Sequence, residues 1–179
     1  MNVPRDVLAW VVDALEAEGL DTAVTGSFAL NYYGVVRATH DADVKVALAK
    51  DIDERIARAG ERLARERMFR IVDDTTFEHR GFTVEVYPAR DAIDREAMKR
   101  RRSVTLFPGL ARRFWIVAPE DLILIKMRAY LEYPASTKHL DDVKLLLAAR
   151  GDLDVAYLDD RLRRHGFVTT WERAIEGRA

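Results

Sequence analysis

The apolar pattern of this 179-residue chain changes character once, near residue 118. Ahead of that point short period-two runs alternate with helical ones, and behind it every apolar pattern recurs at helical spacing. That order calls for a mixed β-sheet flanked by helices, followed by a C-terminal helical extension, an α+β chain. Residues 1–118 are expected to form the α/β core and 119–179 a helical part packed on it as one unit, a size usual for one domain.

Val7, Val11, Val12 and Leu15 recur at helical spacing, and Gly19 is placed to cap the first helix. A strand is expected over 21–25, then a helix from Ser27 closed by Gly34. Val44 and Val46 alternate with Asp41, Asp43 and Lys45, which predicts a strand with one buried face over 41–48. A charged helix over 51–66, strands over 68–73, 75–79 and 82–87, and a hairpin of 104–107 with 114–117 complete the core. Pro119, with Glu120 and Asp121 in the first turn, starts a helix running to Glu132. Further helices are expected over 136–149, 154–164 and 169–176.

Apolar residues make up 49% and charged residues 33% of the chain, a balance that excludes a disordered polypeptide. The absence of cysteine excludes disulfides, thiolate metal sites and cysteine nucleophiles. Acids at Asp13, Glu16 and Glu18 rule out a signal-peptide apolar region, and no apolar run reaches membrane-spanning length. A soluble, cytoplasmic protein without a membrane partner is expected. Arg95, Lys99, Arg100, Arg101, Arg102, Arg112 and Arg113 crowd one segment that holds a single acid, Glu96. Two readings stand for it: a phosphate or nucleic-acid contact, or a solvated helix end followed by strand edges.

The chemistry-bearing constellation starts at Asp41 and Asp43. On a strand they project to one side with Cα atoms about 7 Å apart, close enough to share a divalent cation. Gly26-Ser27 precedes them at a predicted strand-to-helix turn, where free N–H groups and a hydroxyl can cradle phosphate. Glu85, on another predicted strand, completes a carboxylate triad if that strand lies beside the first; otherwise it is an exposed acid on a half-buried strand.

The stretch from Thr25-Gly26-Ser27 through Arg37-Ala38-Thr39-His40-Asp41-Ala42-Asp43 resembles the signature of the minimal nucleotidyltransferase superfamily, and in particular its AbiEii-like branch of abortive-infection and toxin-antitoxin proteins. Val117 to Lys126 and Lys138 to Val143 resemble two later segments of that branch, so the resemblance spans most of residues 20–148. Two positions depart from the pattern: His139 stands where an acid is common, and Glu85 where aspartate is common.

The resemblance implies a nucleotidyltransferase fold and transfer of NMP from a nucleoside triphosphate to an acceptor hydroxyl, with release of pyrophosphate and Mg²⁺ (or Mn²⁺) as cofactor. It implies Asp41, Asp43 and Glu85 at the metal, with Gly26, Ser27, Arg37, Thr39, Lys126 and Asp142 around the nucleotide. Lys126 also has a reading as a lysine snorkelling at the core edge, and Asp142 one as an i,i+4 partner of Lys138. The implied acceptor is RNA, such as a tRNA end, with a cognate antitoxin protein as partner. The alternatives are an antibiotic-modifying nucleotidyltransferase of the lincosamide or aminoglycoside type, and a non-catalytic nucleotide-binding toxin-antitoxin component.

Overall fold

The structure is a computed structural model that describes residues 3–176. Residues 1, 2 and 177–179, the outer ends of the two expected segments, lie outside the described residues. Helix α1 (Val3–Ala17) ends where Gly19, at φ 72°, takes the left-handed conformation that lets Leu20 N–H reach back to the Leu15 carbonyl. Strand β1 (Thr22–Thr25) runs straight into α2 (Gly26–Tyr32), and β2 (Asp41–Val46) returns antiparallel to β1. Helix α3 (Ile52–Arg67) precedes the antiparallel set β3 (Arg70–Asp73), β4 (Thr76–His79) and β5 (Phe82–Pro88). Helix α4 (Ala92–Arg100) and strands β6 (Arg102–Val104) and β7 (Phe114–Ile116) follow, and α5 (Pro119–Glu132), α6 (Lys138–Ala149), α7 (Val155–Arg164) and α8 (Val168–Ile175) finish the chain.

Seven strands form one mixed sheet in the order β3-β4-β5-β2-β1-β7-β6. The β5/β2 and β1/β7 pairs are parallel and the others antiparallel. Ala42, Val44 and Val46 of β2 and Val84 and Val86 of β5 face one side, where α1 and α3 bury them. On the opposite side Ala23 and Ile116 meet α2, α4 and the C-terminal helices. The other face of β2 carries exposed Asp41, part-buried Asp43 and buried Lys45, so the strand has one fully buried face, as expected, and a second that closes only toward its C-terminal end. Lys45 is only 4% exposed, because α4 brings the Asp94 carboxylate 2.7 Å from its ammonium.

Two elements differ from the sequence pattern. Helix α4 reaches back to Ala92, ahead of the helix end read at the basic segment: its nine residues carry five charges, and its buried apolar face reduces to Ile93, Ala97 and Met98. The last hairpin pairs Arg102–Val104 with Phe114–Ile116, shifted from the expected 104–107, because Phe107 leaves the ladder to pack edge-on against Phe28 and Phe114. Among the described residues no helix is long and apolar enough to cross a membrane.

Candidate active site

The parallel register between β2 and β5 builds the centre of the site. Asp43 stands opposite Glu85, Asp41 opposite Thr83 and Lys45 opposite Tyr87, so three carboxylates share one face of two adjacent strands. Antiparallel pairing with β1 puts Thr25 opposite Asp43, which brings the start of α2 to the same place. Asp41, Asp43, Glu85, Gly26, Ser27 and Lys126 all line one cleft of about 300 Å³, together with Thr25, Lys45, Tyr87, Arg128, Lys138 and His139.

Gly26 is required here on two counts. Its φ of 59° lies in the left-handed region, and a Cβ at this position would stand 1.7 Å from Oδ2 of Asp43. The space its missing side chain leaves is filled by the carboxylate of Asp43. Thr25, buried beside it in the cleft wall, has a hydroxyl without a hydrogen-bond partner.

Burial, and next the charge of Asp41, push the Asp43 carboxyl up to about 6, with Lys126 pulling the other way. Two carboxylates that repel each other in a half-dry cleft form a site waiting for positive charge. Among the described residues no three His, Asp or Glu side chains converge as a ready-made metal cage. The donor set nevertheless suits Mg²⁺, which dehydrates reluctantly and is usually held by one or two carboxylates plus substrate phosphates. Asp41 and Asp43 fit that role. The Glu85 carboxylate is occupied differently, accepting a hydrogen bond from the Tyr87 hydroxyl.

Three of the expected site residues stand behind the cleft wall and do not line it. The Thr39 hydroxyl donates to the Asp41 carboxylate and backbone carbonyl, fixing the start of β2. Asp142, 1% exposed, accepts from Nε of Arg37 at 2.7 Å, and its Oδ2 lies 2.9 Å from the Lys126 ammonium. Its ion pairs are thus with Arg37 and Lys126, and the i,i+4 reading with Lys138 gives way to two cations brought from other elements. Lys126, 8% exposed, is held with its ammonium at the cleft edge by this buried acid. Replacing Asp142 by Leu is expected to destabilise the protein by about 3 kcal/mol, because Lys126 is left buried without its counter-ion. Urea unfolding should show the loss, and Lys126→Met in the same chain should restore most of it.

Lys45, Asp94, Arg128 and Tyr87 were not singled out from the sequence. Asp94 caps the cluster by accepting from Lys45 at 2.7 Å and from Arg128 at 3.3 Å. Burial lowers the Lys45 pKa and the Asp94 charge opposes that fall. Burial followed by the hydrogen bond to Glu85 raises the pKa of Tyr87, so its phenol stays a neutral donor. The one signal available was the position of Lys45 on the same strand face as the two aspartates, two residues beyond Asp43. Tyr33 is buried with its hydroxyl donating to the Val117 carbonyl, which makes it a packing residue.

The basic segment lies elsewhere. Arg101 pairs with Asp21, and Arg95, Lys99 and Arg101 border Ala47 and Leu48 beyond the far end of β2. Arg100 pairs with Glu120 and Asp121, Arg102 with Glu120, and Arg112 with Asp13 and Glu16.

No family model matches the sequence. The cysteine–tRNA ligase of Pyrococcus abyssi (strain GE5 / Orsay) is 40% identical over 67 residues, which is 37% of this chain; the chain spans 14% of the length of that curated relative. The antibiotic-resistance factor ANT(2'')-Ia in solution superposes with a TM-score of 0.64 over 97% of this chain and 98% of its own, at 16% identity. The fold is that of the nucleotidyltransferases. ANT(2'')-Ia in complex with adenylyl-2''-tobramycin gives 0.58 at 19% identity, over 89% of this chain and 97% of its own. An antigenic nucleotidyltransferase-like protein from Paracoccidioides brasiliensis gives 0.52 at 13% identity, over 93% and 91%. The nucleotidyltransferase fold accounts for the mixed sheet flanked by helices.

Proposed function

We propose that this chain is a nucleotidyltransferase that moves NMP from a nucleoside triphosphate to an acceptor hydroxyl with release of pyrophosphate. The observation that carries this reading is the register that sets Glu85 opposite Asp43, with Asp41 on the same face and Gly26-Ser27 at its edge. Mg²⁺ (or Mn²⁺) held by Asp41 and Asp43 would offset the charge of the triphosphate and polarise its α-phosphate.

The protein's own groups divide the remaining work. The Ser27 hydroxyl and the amides at the start of α2 face the phosphates, and the unpartnered Thr25 hydroxyl adds a donor. Lys126 stabilises the negative charge that builds on the leaving pyrophosphate. Arg37 and Asp142 act through Lys126, and Thr39 through Asp41, so these three shape the nucleotide site without touching it. Glu85 takes the proton of the acceptor hydroxyl.

For the acceptor, a small polyhydroxylated molecule is the better-supported reading. An RNA acceptor needs a cationic track leading to the cleft, whereas Arg100, Arg101, Arg102 and Arg112 are paired with acids. The neighbour caught with adenylyl-2''-tobramycin carries its nucleotide on an antibiotic, in the same fold. The AbiEii-like resemblance, with its RNA acceptor and cognate antitoxin, rests on sequence segments within residues 20–148 and is the second reading.

The test uses the four α-³²P-labelled nucleoside triphosphates with Mg²⁺, a panel of aminoglycosides and lincosamides, and total RNA as separate acceptors. Label is expected on a small acceptor and absent with Asp41→Ala/Asp43→Ala. Label on RNA alone would restore the toxin-like reading, and no label from any acceptor with retained nucleotide binding would leave a non-catalytic nucleotide-binding protein.

A further inference from the structure

Glu85 is a longer acid than an aspartate at the same register position, and its extra torsion allows rotamers that carry the carboxylate away from Asp43. The structure supplies a restraint. Tyr87 lies two residues on along β5, hence on the same face, and its hydroxyl donates to Oε2 of Glu85. The ring is itself held: its register partner Lys45 sets an ammonium 5.7 Å from the ring centroid, and that ammonium is anchored on Asp94. Tyr87 is 41% exposed and borders the cleft, so the clamp acts at the edge of the site.

We propose that Tyr87 is the positioning residue for the base, fixing Oε2 of Glu85 so that Oε1 is the oxygen presented to the acceptor hydroxyl. This rests on the reading of Glu85 as the base of a nucleotidyl transfer. In the step, the acceptor O–H gives its proton to Oε1, the acceptor oxygen forms a bond to the α-phosphorus, and the bond from that phosphorus to the bridging α,β-oxygen breaks. The bond's electron pair leaves with pyrophosphate. Tyr87 keeps its own proton throughout and touches neither substrate.

The test compares wild type, Tyr87→Phe, Glu85→Asp and the double variant in pyrophosphate release, with Mg²⁺, ATP and tobramycin as probes. Alongside it, the ¹³Cζ resonance of Tyr87 is recorded in protein labelled at tyrosine Cζ, in wild type and Glu85→Gln. Loss of the clamp is expected to lower kcat about tenfold with KM for ATP changed less than twofold, since misplacing a reacting group costs rate more than binding. In a Glu85→Asp background, where the shorter acid cannot reach the hydroxyl, Tyr87→Phe should change kcat less than twofold. The Tyr87 resonance should move when Glu85 becomes glutamine. Equal kcat in wild type and Tyr87→Phe, or additive effects in the double variant, would overturn the inference while leaving nucleotidyl transfer standing. If wild type is inactive on tobramycin, an unmoved resonance overturns the clamp, and a moved one supports it independently of turnover.

Discussion

Asp43→Asn is expected to stabilise the metal-free protein at pH 8 by on the order of 3 kcal/mol while abolishing nucleotidyl transfer. The two effects have one cause. In the folded chain, burial and the charge of Asp41 raise the Asp43 pKa to about 6 from an unperturbed 3.8. A raised pKa means that the folded state favours the protonated acid. The associated stability is fully present below about pH 4, is lost as pH rises through 6, and is absent at pH 8, where the carboxylate is ionised and Lys126 offsets only part of its burial. Asparagine keeps the shape and removes that charge. Urea denaturation in EDTA should therefore show wild type weakening from pH 4 to pH 7.5 and the variant changing less over that span. Activity should fall by about a thousandfold or more, because in the proposed function the carboxylate that costs stability is the one that would hold the metal and orient the triphosphate. Wild type as stable at pH 8 as the variant would contradict the account.

Gly26→Ala should damage activity through a single added methyl. The backbone strain at φ 59° contributes about 1–2 kcal/mol, and the new Cβ would lie 1.7 Å from Oδ2 and 2.7 Å from Cγ of Asp43. Asp43 has to move by more than 1 Å to make room, and displacements of that size cost roughly a hundredfold in rate. Gly109→Ala provides the control, since its φ of 81° carries similar strain but nothing lies within 4 Å of the added Cβ. Both variants should lose some stability in urea unfolding, and only Gly26→Ala should lose kcat/KM in pyrophosphate release. Comparable activity in the two would mean that Asp43 is not held where its role requires.

The parts of the site that were legible in the sequence are those built from contiguous chain. Gly26-Ser27 and Asp41-Ala42-Asp43 each occupy one element, so alternation and turn chemistry suffice to place them. Glu85 depended on strand order: only the β5/β2 pairing turns an exposed acid into a neighbour of Asp43. Charge pairing was the least legible, because local spacing suggests partners that the folded chain overrides. Lys138 lies one turn from Asp142, yet that acid goes to Arg37, 105 residues away, and to Lys126, since burying it demands cations that can follow it out of water. The basic run showed the same effect in reverse. Arg112 meets Asp13 and Glu16 from α1, and Arg100 meets Glu120 and Asp121 at the start of α5, contacts that no window along the chain contains. Helix α4 reads in sequence only as a solvated helix end for a related reason: it delivers Asp94 to Lys45, and a charge buried by a partner on another element looks in sequence like a solvated one.

In the proposed function Asp41 and Asp43 form a centre that binds a nucleoside triphosphate through a divalent cation. Calorimetric titration of a non-hydrolysable triphosphate tests it most directly, run with Mg²⁺ and with EDTA on wild type and Asp41→Asn/Asp43→Asn. Binding is predicted for wild type with Mg²⁺ and is predicted to fall at least tenfold both in EDTA and in the double variant. Equal affinity with and without the cation, or in wild type and the double variant, would contradict it.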